Sequence, residues 1–260
     1  TYKSFYRSSD IKRLKSATKR AIKKSDELIS VSNFTKQELV DLLKINPEHI
    51  TTTHLAAEAG VYKSMPINES ASVLNKYRLG QNFFLSVGRI ENKKSLKTII
   101  RAFELFKQKR GKGDPVELVL IGDKGFGFDE INVYIKRSMF KNQIRLLGFV
   151  DGDDLSHIMS VATAYLFPSW YEGFGIPNLE AMASGTALIT SKIQVHKEVC
   201  GDAALYVAPE KPEAWSNAMS SVVEDSGLRK MLIEKGLEHV KNYTWDKTAL
   251  KTWEVLRSLV

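Results

Sequence analysis

Phe83-Phe-Leu-Ser-Val-Gly-Arg-Ile-Glu-Asn-Lys-Lys-Ser95 passes from a short apolar run, through a glycine and a cluster of charges, into a segment with apolar residues at Leu96, Ile99, Ile100, Phe103 and Phe106. The first part predicts a strand buried on both faces. The second predicts a helix from Ser95 to about Lys109 with one apolar stripe. A strand feeding a helix through a short loop is half of a βαβ unit.

The same alternation continues downstream. Strands are expected at Val116–Ile121, Ile144–Leu147, Ala164–Phe167, Ala187–Thr190 and Ala204–Val207. Helices are expected at Asp129–Met139, Asp153–Ser160 and Pro177–Ala183, and then over 211–223, 226–240 and 245–258. Short apolar strands alternating with helices predict an α/β fold, a Rossmann-like doubly wound parallel sheet with right-handed crossovers. Upstream, Leu28-Ile-Ser-Val-Ser and Ile50-Thr-Thr-Thr-His-Leu read as strands. Thr35-Lys-Gln-Glu38 has capping-box spacing and predicts a helix running to about Leu43. Residues 56–70 read as a linker, so the early elements form a partial second α/β domain. The expected division is 1–62 for that partial domain and the start of the linker, 63–244 for the large domain, and 245–260 for a final helix.

The 260 residues are 43% hydrophobic, enough for one large core or two modest ones. No apolar run approaches the roughly 20 residues of a membrane-spanning helix. The start, Thr1-Tyr-Lys-Ser-Phe-Tyr-Arg, lacks a signal-peptide core and an initiator Met, so a fragment of a longer cytoplasmic protein is expected. The lone Cys200 cannot form an intramolecular disulfide and reads as a small buried residue. The net charge of +8 is local: residues 1–24 hold nine basic residues and one acid, and the other 236 residues sum to zero. A nucleic-acid partner is therefore not expected. Ile11, Leu14, Ala17 and Ile22 fall at helical spacing among those cations, giving a basic amphipathic helix over 11–24. It reads either as a solvated helix held by a thin apolar stripe or as a face for an anionic surface. The second reading would put the protein on the inner face of a membrane.

In a doubly wound sheet, ligands bind beyond the carboxyl ends of the strands, and three loops stand there. In the first, Gly88 allows close backbone approach, and Arg89 and Lys94 set two cations near a helix start, an arrangement suited to a diphosphate; two surface cations are the plain alternative. The second, Gly122-Asp-Lys-Gly-Phe-Gly127, matches neither dinucleotide nor P-loop spacing and reads more simply as a turn. In the third, Glu172-Gly-Phe-Gly-Ile-Pro-Asn-Leu-Glu180, Gly173 and Gly175 free the amides of Phe174, Gly175 and Ile176, and Pro177 suits the first helical position. Its two carboxylates, able to accept from vicinal hydroxyls, can face one pocket from different depths.

Gly88-Arg89 with Lys94, Leu147-Gly-Phe-Val150, Glu172 with Glu180, Ala181-Met-Ala-Ser-Gly-Thr-Ala187 and Gly201-Asp-Ala-Ala-Leu205 together resemble the retaining glycosyltransferases of family 4. The resemblance extends from about Asp26 to Trp245 and implies the C-terminal half of a GT-B fold. It implies that Arg89 and Lys94 hold the donor diphosphate, and that Glu180 accepts from the ribose. Glu172 and the 174–176 amides would hold the transferred sugar, the backbone around Phe149 would meet the base, and Gly88 and Gly122 would also belong to the donor site. It implies no cofactor and no metal, a nucleotide-sugar donor, a saccharide or lipid-linked acceptor, and transfer with retention. The Gly122–Gly127 loop and His54-Leu-Ala-Ala-Glu58 resemble mannosyltransferases, which favours GDP-mannose over a UDP-hexose.

Residues 1 to about 60 resemble only the last part of the acceptor-side domain. Its glycine-rich loop and usual histidine have no counterpart in this sequence. His54, His157 and His196 read as structural. The final helix resembles one that crosses back to the acceptor-side domain. Two other readings are a module that binds nucleotide-sugar without turnover and an oxidoreductase domain. The second is disfavoured because no G-x-G-x-x-G opens a helix after the first strand.

Overall fold

Eleven helices and eight strands are found in a computed structural model that describes residues 5–6, 8–111 and 113–259. The reading of the chain's start falls largely outside the described residues, as do Lys3 and Arg7 of the basic segment. The first elements are α1 (Ser8–Lys24), β1 (Leu28–Ser30), α2 (Asn33–Leu43) and β2 (Ile50–Thr52). β1 and β2 pair in parallel as a small sheet of their own. None of the residues of α1 is buried, and Leu14 is half exposed, so the apolar stripe expected to pack this helix does not do so.

α2 begins before the expected capping box. Ser32 is its N-cap and accepts from the Thr35 amide at 3.0 Å, which puts Thr35 inside the first turn. A hydroxyl placed three residues before a free amide caps a helix wherever the backbone is extended, and Ser32 has that backbone.

α3 (Ile67–Tyr77) lies where the sequence reads as linker up to residue 70. Its start is marked only by Pro66 and has no side-chain cap, so no start signal stands in the sequence. The large sheet follows: β3 (Phe83–Val87), α4 (Leu96–Arg110), β4 (Glu117–Ile121), α5 (Phe128–Arg137), β5 (Ile144–Gly148), α6 (Gly152–Ser160), β6 (Ala164–Phe167) and α7 (Ile176–Ala183). It is completed by β7 (Leu188–Ser191), α8 (Gln194–Cys200) and β8 (Ala204–Val207), and the chain ends in α9 (Pro212–Glu224), α10 (Ser226–His239) and α11 (Trp245–Arg257). The seven-residue α8 was not expected; it is too short to show a periodic stripe.

The six strands are all parallel, in the order β5-β4-β3-β6-β7-β8. Alternate side chains of each strand enter opposite layers. Phe83 and Leu85 join Leu179, Met182 and Val195 on one face, whereas Phe84 joins Ile99, Phe103, Ile131 and Trp215 on the other. Both faces are thus covered by helices, which is why the strands read as continuous apolar runs. The chain starts at β3 in the middle, builds outward to β5, then returns to β6 on β3's other side. The switch point therefore lies between β3 and β6, and the loops following these two strands flank one crevice.

Candidate functional site at the strand carboxyl ends

The loops after β3 and β4 are zipped together beyond the sheet. Gly88 donates its amide to Ile121 O at 2.9 Å, Ile90 to Asp123 O at 2.8 Å, Gly125 to Ile90 O at 3.0 Å, and Asn92 to Phe126 O at 3.0 Å. Gly88 and Gly122 have φ of 139° and 142°. A Cβ on Gly122 would lie 2.1 Å from the Gly88 carbonyl oxygen. The 122–127 glycines therefore have a packing reason: they let the neighbouring loop, which carries Arg89 and Lys94, lie against them. Gly122 also donates to Gly148 O at 2.8 Å, which brings the end of β5 to the same rim. Phe149 stands there 69% exposed while Val150 turns inward.

Across the crevice, Lys94 Nζ meets Glu172 Oε1 at 2.8 Å, and Lys93 Nζ lies 3.6 Å from Glu172 Oε2. Trp170 donates its amide to Lys93 O at 3.0 Å, so the two loops are also joined through their backbones. The Lys94 ammonium stands 4.4 Å from the centre of the Phe167 ring and lies against Gly88, where a Cβ would approach it to 3.6 Å. Burial pushes the Glu172 carboxyl up, but Lys94 and Lys93 together outweigh it and hold the group below the usual carboxylate range. Glu172 is thus an ionised, largely buried carboxylate. Arg89 is exposed and makes no ion pair among the described residues. It lines a cleft of about 410 Å³ with Glu91, Lys93 and Lys124, capped by Phe5, Tyr6 and Asp10 of the amino-terminal segment.

Glu180 sits deeper, on α7. Burial raises the Glu180 carboxyl to about 7, opposed by the neighbouring Tyr62 hydroxyl, and burial beside Glu180 raises the Tyr62 phenol to about 12. The field of Glu180 also reaches the buried Tyr165, whose hydroxyl donates to Val87 O at 3.2 Å. Pro177 is the second residue of α7 rather than the first, because Gly175, at φ 99°, ends the loop one residue earlier than expected.

The sign of the Glu180 shift gives a prediction. A folded-state carboxyl pKa above the unfolded value adds stability below about 4.5 that is lost as pH rises through about 7. A diol that donates to Glu180 needs the carboxylate, so binding of such a ligand should release a proton near neutrality. A diol ligand with no group of its own titrating there should bind about tenfold more tightly at pH 8 than at pH 6. Glu180→Gln should flatten that profile, and calorimetry in buffers of different ionisation enthalpy reads it.

Three contributors, Lys93, Tyr62 and Tyr165, have no signal of their own in the sequence. Lys93 neighbours a residue that was singled out. Tyr62 and Tyr165 carry no motif. His196 was read as structural; it lies on α8, and its buried ring packs against Gly175, where a Cβ would be 3.5 Å from Nε2. Its Nδ1 meets Thr190 Oγ1 at 2.8 Å, burial drives it down to about 4, and it is neutral. Nδ1 also lies 3.2 Å from the Ser191 carbonyl, and Nε2 has no hydrogen-bond partner among the described residues. His54 pairs with Glu198, at 2.9 Å. His157 lies 3.2 Å from Ser70 Oγ, a helix-packing contact away from the crevice.

Residues 71–239 match the family model described as Glycosyl transferases group 1. Among curated proteins, the chain is 30% identical over 226 residues to O-antigen chain mannosyltransferase B of Escherichia coli, covering 86% of this chain and 58% of that protein. It is 28% identical over 204 residues to O-antigen chain mannosyltransferase RfbU of Salmonella typhimurium, covering 78% and 53%. The chain thus spans a little over half the length of these relatives. Among solved structures, HepE of Anabaena in complex with UDP-glucose superposes with a TM-score of 0.82 at 18% identity, over 94% of this chain and 67% of that one. WaaG, a glycosyltransferase involved in lipopolysaccharide biosynthesis, superposes with a TM-score of 0.74 at 18% identity, over 88% and 61%.

Proposed function

The chain belongs to the group 1 glycosyl transferases and has the α/β fold of GT-B enzymes, and on that premise we propose that it holds a nucleotide-sugar donor whose hexose the intact protein transfers with retention of configuration. The observation that carries this is the Lys94–Glu172 pair, which puts a cation and an ionised carboxylate side by side at the switch point, with Glu180 deeper in the same loop–helix unit. Lys94 and the exposed Arg89 take the diphosphate. Glu172 and the amides of residues 174–176 hold sugar hydroxyls, and Glu180 accepts from the ribose once Tyr62 yields. Phe149 lies at the rim for the base.

In the transfer, the bond from the anomeric carbon to the phosphate oxygen breaks and one to the acceptor oxygen forms on the same face. The acceptor proton goes to the leaving phosphate oxygen. Arg89 and Lys94 stabilise the charge building there, a role that fixed cations fill without a metal. The acceptor is a saccharide or lipid-linked saccharide. The basic face of α1, which buries nothing, is the candidate contact for an anionic membrane surface.

GDP-mannose is favoured over a UDP-hexose because the relatives are named mannosyltransferases; the UDP-glucose bound to HepE supports the second donor. Thermal unfolding with each diphosphate and its sugar tests the choice, since a ligand of the folded state raises the midpoint by mass action. GDP-mannose should raise it most; a larger rise with UDP-glucose would reverse the assignment, and no rise with any of them would remove the proposal.

A further inference from the structure

The loop that carries Glu172 is held from outside its own domain. Gly173 O accepts at 2.7 Å from Oγ of Ser32, the N-cap of α2, and at 3.1 Å from Oγ1 of Thr35 in its first turn. Val31 packs beside Gly173, the Phe34 and Tyr171 rings lie 5.9 Å apart, and the Tyr171 hydroxyl donates to Glu38. α2 is fixed in turn by α8. The Glu198 carboxylate accepts from the Asn33 amide at 2.7 Å and the Phe34 amide at 2.9 Å, the free donors of a helix start, and from His54 Nε2 at 2.9 Å. One chain of contacts thus runs to the peptide between Gly173 and Phe174: Glu198 holds the start of α2, and the Ser32 and Thr35 hydroxyls there hold the Gly173 carbonyl.

We propose that Ser32 and Thr35 are positioning residues for the sugar-binding amides of 174–176, and that Glu198 sets them in place, so that the orientation of the amino-terminal segment decides how well the donor sugar is held. This rests on the donor-site reading above. The physical reason is that a peptide plane has one orientation: fixing the Gly173 carbonyl with two donors fixes the following amide, which points the opposite way. Gly173 and Gly175 leave this loop free to turn, so its order has to come from outside. The consequence is a coupling. Sugar binding and docking of α2 stabilise each other, and each changes the other's affinity by the same factor.

Calorimetric titration of the chain with GDP, GDP-mannose, UDP and UDP-glucose separates this from a general loss of structure. The unaltered chain should bind a nucleotide-sugar more tightly than its diphosphate. Ser32→Ala/Thr35→Val should lower nucleotide-sugar affinity about 5- to 30-fold while leaving the diphosphate within about twofold. Thr35→Ser, which keeps the hydroxyl, should behave as the unaltered chain. Glu198→Gln, which leaves Gly173 untouched, should give the same split in smaller measure. Equal losses for diphosphate and nucleotide-sugar, or no loss for either, would overturn the positioning role, as would a sugar that adds no affinity in the unaltered chain. Failure of the unaltered chain to bind any diphosphate would instead overturn the donor site, and the positioning role with it.

Discussion

Lys94→Ala should weaken binding of a nucleoside diphosphate by about 10- to 100-fold, the worth of one charge-assisted contact to a phosphate in a partly buried site. The same change should lower folding stability by about 2 kcal/mol at pH 7, because it leaves Glu172 buried with only Lys93, 3.6 Å away, to balance it. The two losses are separable. In the unaltered chain, the lowered Glu172 pKa adds stability above the unfolded carboxyl pKa, and this is lost as pH falls through the folded one. Without Lys94 the carboxyl titrates higher, so the variant's deficit should shrink in acid. Adding Glu172→Gln to Lys94→Ala removes the stranded charge, and it should restore stability without restoring affinity. Denaturant unfolding at pH 7 and pH 4.5, beside calorimetry, reads both; recovery of affinity along with stability would count against Lys94 as a phosphate ligand.

Gly122→Ala should cost about 4 kcal/mol or more and lower the melting midpoint by about 10 °C. Its φ of 142° is strained for any L side chain, and a methyl there would sit 2.1 Å from a backbone oxygen that has no flexible end to move. Relief requires parting the zipped 88–92 and 122–126 loops, so donor binding should fall with stability, unlike in Lys94→Ala/Glu172→Gln. Gly148→Ala is the control: its φ of 74° carries strain, but the space around it is open, so the cost should be about 1 kcal/mol. Similar losses at the two positions would mean that strain alone, rather than close approach, makes Gly122 a glycine.

The strands were legible because burial on both faces leaves them no polar alternation; Phe83–Val87 and Ala164–Phe167 have the bounds their apolar runs suggest. α4 was legible because its five-residue stripe matches its buried face. α3 and α8 were not, since one lacks a cap and the other is shorter than two periods and a half. The start of α2 was misplaced because Ser32 and Thr35 are both able caps, and only the backbone decides between them. Lys107, adjoining Phe106 on α4, would pass for a surface cation, yet it is fully buried with its ammonium 3.0 Å from Asp114 Oδ1 and 3.1 Å from Val116 O.

At the site, spacing pointed to Glu172 and Glu180 on one loop and to Arg89 and Lys94 on another. It could not reveal that Lys94 pairs with Glu172, that Arg89 makes no ion pair among the described residues, or that Tyr62 neighbours Glu180. Those are contacts across 78 and 118 residues of sequence, set by strand order rather than by local pattern. The hold of Ser32 and Thr35 on Gly173 is equally non-local.

Calorimetric titration of this chain with GDP-mannose and UDP-glucose, repeated on Arg89→Ala and Glu180→Ala, tests most directly whether these strand-end loops hold a nucleotide-sugar. At least one donor should bind the unaltered chain, with affinity cut by about tenfold or more in each variant. Binding of neither donor, or equal affinity in the unaltered chain and Arg89→Ala, would contradict the assignment.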